Sequence, residues 1–172
     1  MICLSNGVVR VLKLKRRHFL KRSEVKKLSE EAHQFLGVVI PSEDIEVAFT
    51  QDDDEVYFHH GQPLLIRRGG KLFPSLKSLL AGSLTLPKVV VDMGAVPHVT
   101  NGADVMLPGI RAVDGAVKAG SLVVVVDEKH GKPLAVGESL LDTEAIKSGG
   151  KGKAIKNLHW IGDDYWLLGK AE

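Results

Sequence analysis

Five short runs in the second half of the chain set the tightest limit on its fold: KVVVD (88–92), DVML (104–107), SLVVVV (121–126), PLAVGES (133–139) and DYWLL (164–168). Each reads as a strand. Gly- or Pro-containing turns separate them, among them DEKHGK between SLVVVV and PLAVGES. Short strands punctuated in this way predict a small sandwich or barrel. Two short helices are expected between the late strands, DTEAIK (142–147) and KAIKNL (153–158).

The first half has a different pattern. VVRVLKL (8–14) alternates apolar and polar residues, as a half-buried strand does. A helix is predicted next, with Ser23 as N-cap and Glu24 in its first turn; Val25, Leu28, Ala32, Phe35 and Leu36 recur at spacings of three and four, and Gly37 ends it. Two hairpins should follow, one turning at TQDDDE (50–55) and the other at Gly69-Gly70. Ser75 then caps a short helix, LKSLLA, that stops at Gly82. The change of character at Leu86-Pro87 divides the chain into a small α+β domain, residues 1–86, and a mainly β domain, residues 87–172. The predicted class is α+β.

Of the 172 residues 44% are apolar and 26% charged, which excludes collagen-like, disordered and membrane-spanning classes. The longest aliphatic run, residues 122–126, is far short of the ~18 residues of a spanning helix. No secretory signal is legible near the start, so the expected location is the cytoplasm, with no membrane partner. The lone Cys3 offers neither a disulfide nor a zinc ribbon. Charge is segregated: residues 1–30 hold nine Lys/Arg against two acids, whereas residues 41–60 hold seven acids and no Lys/Arg.

GGKGKA (149–154) lacks the spacing and the Ser/Thr of a phosphate-binding Walker loop. What remains is a glycine turn with Lys147, Lys151, Lys153 and Lys156 and no acid in residues 145–157, which is either a polyanion-binding surface or a solvated face. KRRHFLKR (15–22) gathers Lys15, Arg16, Arg17, His18, Lys21 and Arg22; its two readings are phosphate or acidic-protein binding and a solvated loop. The contiguous acids DDDE (52–55) lack calcium-loop spacing and read as a solvated turn. His59 and His60, adjacent on a strand, should face opposite ways and share no metal. His98, His130 and His159 are structural or surface histidines, and Trp160, Tyr165 and Trp166 read as core rather than as a base-stacking platform. No constellation of nucleophile and base is present, so no catalytic residue, metal ligand or cofactor is assigned.

In NGADVMLPGI (101–110), two turn signals bracket a strand. Gly102 and Gly109 either serve turn geometry alone or let the backbone lie close to something else. VVVDMGAVPHVTNGADVMLPGI, AGSLVVVV, GKPLAVGES and KGKAIKNLHWIGDDYW, in that order, resemble the PUA domain over roughly residues 87–168. This is a small RNA-binding pseudo-barrel. Preceded by a short α+β domain, it resembles the malignant T-cell amplified sequence family, whose members include the N-terminal part of ligatin and archaeal homologues. The resemblance implies a non-catalytic RNA-binding protein of translation that contacts tRNA or rRNA and the small ribosomal subunit, with a protein partner in some members. The alternative is an RNA-docking accessory to a tRNA or rRNA modification enzyme. A third reading places an active site in residues 1–86.

By the same resemblance, the loop and strand at residues 101–110 and a helix over KGKAIKN line the RNA groove. His98, Asn101, Gly102, Ala103, Met106, Pro108 and Gly109 would shape it, and Lys147, Lys151, Lys153 and Lys156 would neutralise phosphates. Lys15, Arg16, Arg17, Lys21 and Arg22 would grip ribosomal RNA or a partner.

Overall fold

A computed structural model describes residues 12–168. Cys3 and most of the strand predicted over residues 8–14 lie outside the described residues. The first sheet is an antiparallel meander of β1 (Leu14–Phe19), β2 (Ile45–Thr50), β3 (Glu55–His59), β4 (Gln62–Arg68) and β5 (Lys71–Pro74), paired in chain order. Both predicted hairpins are present. At the first, Thr50 Oγ1 accepts the N–H groups of Asp52 and Asp54, at 3.2 and 3.1 Å. At the second, Gly69 and Gly70 have φ of 56° and 80°, the left-handed pair that a tight hairpin turn requires.

Helix α1 (Arg22–Glu31), continued by a π turn at Ala32–Leu36, buries Val25, Leu28 and Ala32 and ends at Gly37. Its cap differs from the prediction. Lys21, not Ser23, is the N-cap, and the Glu24 carboxylate accepts the Lys21 N–H at 2.7 Å. The preceding Leu20 N–H is still bonded to Ile45 O at 2.8 Å, so the helix starts where the chain leaves the sheet. Arg67 on β4 holds the helix by donating to both oxygens of Glu31 at 2.6 and 2.8 Å. Ser75 caps α2 (Leu76–Leu80), as its sequence predicts, by accepting the Ser78 N–H.

The second sheet has six strands: β6 (Lys88–Val91), β7 (Val105–Met106), β8 (Ile110–Val113), β9 (Leu122–Asp127), β10 (Pro133–Ser139) and β11 (Lys153–Trp160). Their order is β7-β11-β10-β9-β6-β8, all antiparallel except β6 with β9. The outermost strands β7 and β8 are joined by a single 3-10 turn, Leu107–Gly109. Three residues span about 10 Å. The two edges must therefore meet, and the sheet curls into a nearly closed pseudo-barrel. Helices α3 (Val96–Val99) and α4 (Thr143–Lys147) complete this half.

Two expectations fail here. KAIKNL is not a helix but most of β11, and DYWLL is not a strand but part of a turning segment after it. The helix-like spacing in β11 comes from bulges: register slips between Lys153 and Ile155 against β7, and Asn157 and His159 pair with the consecutive residues Gly137 and Val136 of β10. The extra residues leave Lys153 and Lys156 exposed at a spacing of three. In the turning segment the Asp163 carboxylate accepts the N–H groups of Trp160 and Trp166, at 3.1 and 2.8 Å, which folds the chain back on itself.

Strand β9 is buried on both faces, which explains its unbroken apolar run. Val123 and Val125 point into the barrel with Val89, Val91 and Ile155. Leu122, Val124 and Val126 join Leu158 and Tyr165 in a core shared with the first sheet. Polar contacts cross the same junction. His159, 1% exposed, accepts the Leu76 N–H on Nε2 at 3.1 Å, while its Nδ1 faces Asp163 Oδ2 at 2.7 Å. Arg68 donates to Leu158 O at 2.8 Å, Lys71 pairs with Glu138, and the Tyr165 hydroxyl donates to Asp54.

Candidate nucleic-acid interface

Asn157 of β11 braces the chain that follows α3. Its side-chain amide donates to Val99 O and Ala103 O, both at 3.0 Å, and its backbone N–H donates to Asp104 Oδ1 at 2.8 Å. Asp104 Oδ2 pairs with Lys153 Nζ at 2.6 Å. Burial pushes the Asp104 carboxyl up, but the Lys153 ammonium and the Asn157 N–H outweigh it and hold it below the usual carboxylate range. Next to this pair lies a groove of about 450 Å³, within the ~300–1,000 Å³ of small-ligand sites. Ala95, His98, Val99, Ala103, Met106 and Gly109 form most of its walls, and Met106 is 48% exposed.

The fold thus brings His98, Ala103, Met106, Gly109 and Lys153 together. Asn101 and Pro108 are exposed on the segments that flank the groove. Lys147 at the end of α4, Lys151 in the glycine turn and Lys156 on β11 are exposed and do not line it. The element that carries Lys153 and Lys156 is a strand rather than the helix expected there. The sequence alone does not mark Asp104 and Asn157, because their contact joins positions 53 residues apart in the chain.

The close approach at Gly102 is to an aromatic ring. Its φ is 90°, and a Cβ at this position would stand 2.7 Å from Trp160 Cζ2. Trp160 is half-buried and packs beneath the turn with the barrel core, in line with its reading as a core residue. Gly102→Ala should therefore cost about 2 kcal/mol from the strained backbone and the displaced indole, and lower Tm by about 5 °C. Thermal melts of the variant check this, and an unchanged Tm would mean that the turn has room to adjust.

The amino-terminal cations lie on β1, the edge strand of its sheet, and at the start of α1. Arg17 is tied down: it donates to both oxygens of Glu46 at 2.8 and 3.2 Å and lies 4.4 Å from the centre of the Phe58 ring. Arg16, at a left-handed φ of 47°, sits 4.7 Å over the Phe49 ring and 3.8 Å from Asp53. Lys15, Lys21 and Arg22 are exposed. The His59 and His60 rings do not face apart as predicted; their centres are 4.0 Å from each other, because His60 leaves the strand into a turn at φ 48°. Among the described residues no group of three or more His, Cys, Asp and Glu could hold a metal, and no helix is long and apolar enough to cross a membrane.

The curled sheet and its flanking groove define the chain as a PUA-domain protein. A family model of the PUA domain matches residues 87–161, and one for a domain of unknown function (DUF1947) matches residues 16–81. An uncharacterized protein of Methanocaldococcus jannaschii is 40% identical over 90% of this chain and 98% of its own. Translation machinery-associated protein 20 of Saccharomyces cerevisiae is 34% identical over 71% of each chain. A conserved PUA domain protein from Thermoplasma acidophilum has the same fold, with a TM-score of 0.75, 32% identity and coverage of 89% of this chain and 97% of that one. The chain belongs to the family of the translation machinery-associated protein 20 and malignant T-cell-amplified sequence proteins.

Proposed function

We propose that this protein binds RNA in translation, without catalysing a reaction, and holds tRNA at the small ribosomal subunit in the cytoplasm. The observation that carries the reading is the apolar groove beside Met106, with exposed lysines on β11 and on the glycine turn that leads into it. Apolar walls suit an unstacked base, and the lysines suit the phosphates on either side of it. The names of the relatives support a role with the translation machinery. The cations of β1 and α1 supply a second contact, to ribosomal RNA or to a partner protein.

Co-sedimentation of the protein with small ribosomal subunits, with and without tRNA, tests this. Changing Lys15, Arg16, Lys21 and Arg22 together to Ala, with Arg17 left in its ion pair, should weaken association about tenfold at 0.1 M salt, the effect of one or two lost phosphate contacts. Melting should stay near that of the parent, since exposed charges add little stability. A parent protein that neither sediments with subunits nor binds tRNA would overturn the reading.

A further inference from the structure

We propose that the cavity between the β3–β4 hairpin and α2 docks a partner protein, which it holds through an apolar segment bearing carboxylates. The cavity shares no lining residue with the groove beside Met106 and stands independently of the RNA-binding reading. Its volume is about 600 Å³, and Val39, Pro41, Pro63, Leu64 and Ala81 give it apolar walls. Val38 and Ile40 are buried in the core, whereas Val39 between them is 76% exposed. One outward valine means little by itself. This one lines a cavity, so its apolar surface continues into walls that a partner's side chains can fill.

Charge sets the partner's chemistry. Among the described residues no carboxylate lines the cavity, whereas His59, His60 and Lys77 do. Lys77 already donates to Leu168 O, which leaves the histidines as the groups to meet a ligand. Their ring centres are 4.0 Å apart because His60 turns out of β3 at a φ of 48°, a left-handed backbone that residues other than glycine rarely adopt. Burial, and then the neighbouring His60, hold the His59 imidazole below its ordinary range, with Asp44 opposing them. A partner carboxylate supplies the counter-charge that two adjacent imidazoles lack. Nucleic acid fits less well, since its backbone calls for a run of permanent cations. Lys77 is the one such cation among the described lining residues, and Glu43 and Asp44 are exposed just past Pro41.

The test is an NMR titration of the isotope-labelled full chain with three short peptides, in which leucine alternates with glutamate, glutamine or lysine. The glutamate peptide should shift the amide signals of residues 39–41, 59–64 and 77–83. It should bind about fivefold more tightly than the glutamine peptide, the effect of one or two partly exposed ion pairs. The lysine peptide should leave these signals unmoved. Affinity for the glutamate peptide should rise at least about threefold from pH 8 to pH 6, because binding favours charged histidines and histidine titrates in this range. Asp44 beside His59 and Lys77 in the wall are the other charged groups that face the pair. His59→Gln with His60→Asn, asparagine being at ease in a left-handed backbone, should remove both the pH dependence and the preference for glutamate. Ala81→Glu, at an exposed helix end, should abolish binding of the glutamate peptide, and it decides the matter if the histidine variant melts early. Changing Lys15, Arg16, Lys21 and Arg22 to Ala should leave that binding as it is. A parent that binds the three peptides alike, binds none of them, or shows its shifts elsewhere overturns the proposal. So does self-association of the parent that Ala81→Glu disperses, which gives the face to a second copy of this chain, or loss of tRNA binding in Ala81→Glu, which gives it to RNA.

Discussion

Replacing Lys147, Lys151 and Lys156 together with Ala is expected to weaken tRNA binding about a hundredfold at 0.1 M salt. All three are exposed, on α4, the glycine turn and β11. Each phosphate contact adds about 0.7 to the slope of log affinity against log salt for single-stranded RNA, so three contribute about 2. Electrostatic contacts are nearly silent at 1 M salt, and one decade of dilution then separates parent and variant by about two decades of affinity. Lys153 is excluded because its ammonium already neutralises Asp104. Removing it would leave an unpaired carboxylate beside the RNA and mix two effects. A salt series on both proteins is the measurement. Parallel lines of equal slope would show that these lysines form a solvated face and touch no phosphate.

His159→Ala should be the most damaging single substitution at the junction between the sheets, at about 3 kcal/mol or more. The imidazole is buried and bonded at both nitrogens, to the Leu76 N–H and to Asp163. Truncation leaves a cavity, an orphaned N–H and a carboxylate short of one partner, and each of these carries a penalty in a dry interior. At this chain length the loss corresponds to a fall in Tm of about 6–12 °C. His159→Gln, which can offer one hydrogen bond, should recover part of it. The shared core gives the same expectation for a cut at residue 86, since a fragment of residues 87–172 would expose Leu122, Val124, Val126 and Leu158 to water. A His159→Ala protein that melts like the parent would show that the apolar core and the remaining polar contacts hold the two halves together without it.

Much of the candidate site was legible in the order of short motifs, since GAD, PGI and the lysine-rich run are each local. His98, Ala103, Met106, Gly109 and Lys153 do share one groove. Asp104 is not legible in this way, because a single acid between Ala103 and Val105 carries no local signal. Its meaning comes from Asn157 and Lys153, about 50 residues away. Arg17 shows the converse. In the sequence it is one cation in a cluster, yet its ion pair with Glu46 and its stacking on Phe58 separate it from Lys15, Lys21 and Arg22. His159, read as one isolated histidine among several, is a buried polar link between the halves of the molecule.

By itself, the sequence determined those elements whose signals act within a few residues: the Gly69-Gly70 hairpin, the helix ended by Gly37, the Ser75 cap and the strand within residues 121–126. Turn geometry, capping and periodicity are short-range effects of backbone sterics and side-chain alternation, so they survive reading one stretch at a time. Only the tertiary structure decided that KAIKNL is a strand, because the bulges producing its spacing of three exist only against β7 and β10. Only it showed that Gly102 makes room for Trp160, 58 residues onward, and that a three-residue link between β7 and β8 curls the sheet around its core. These outcomes depend on which distant surfaces meet, and burial rewards a segment for partners that local propensity cannot see.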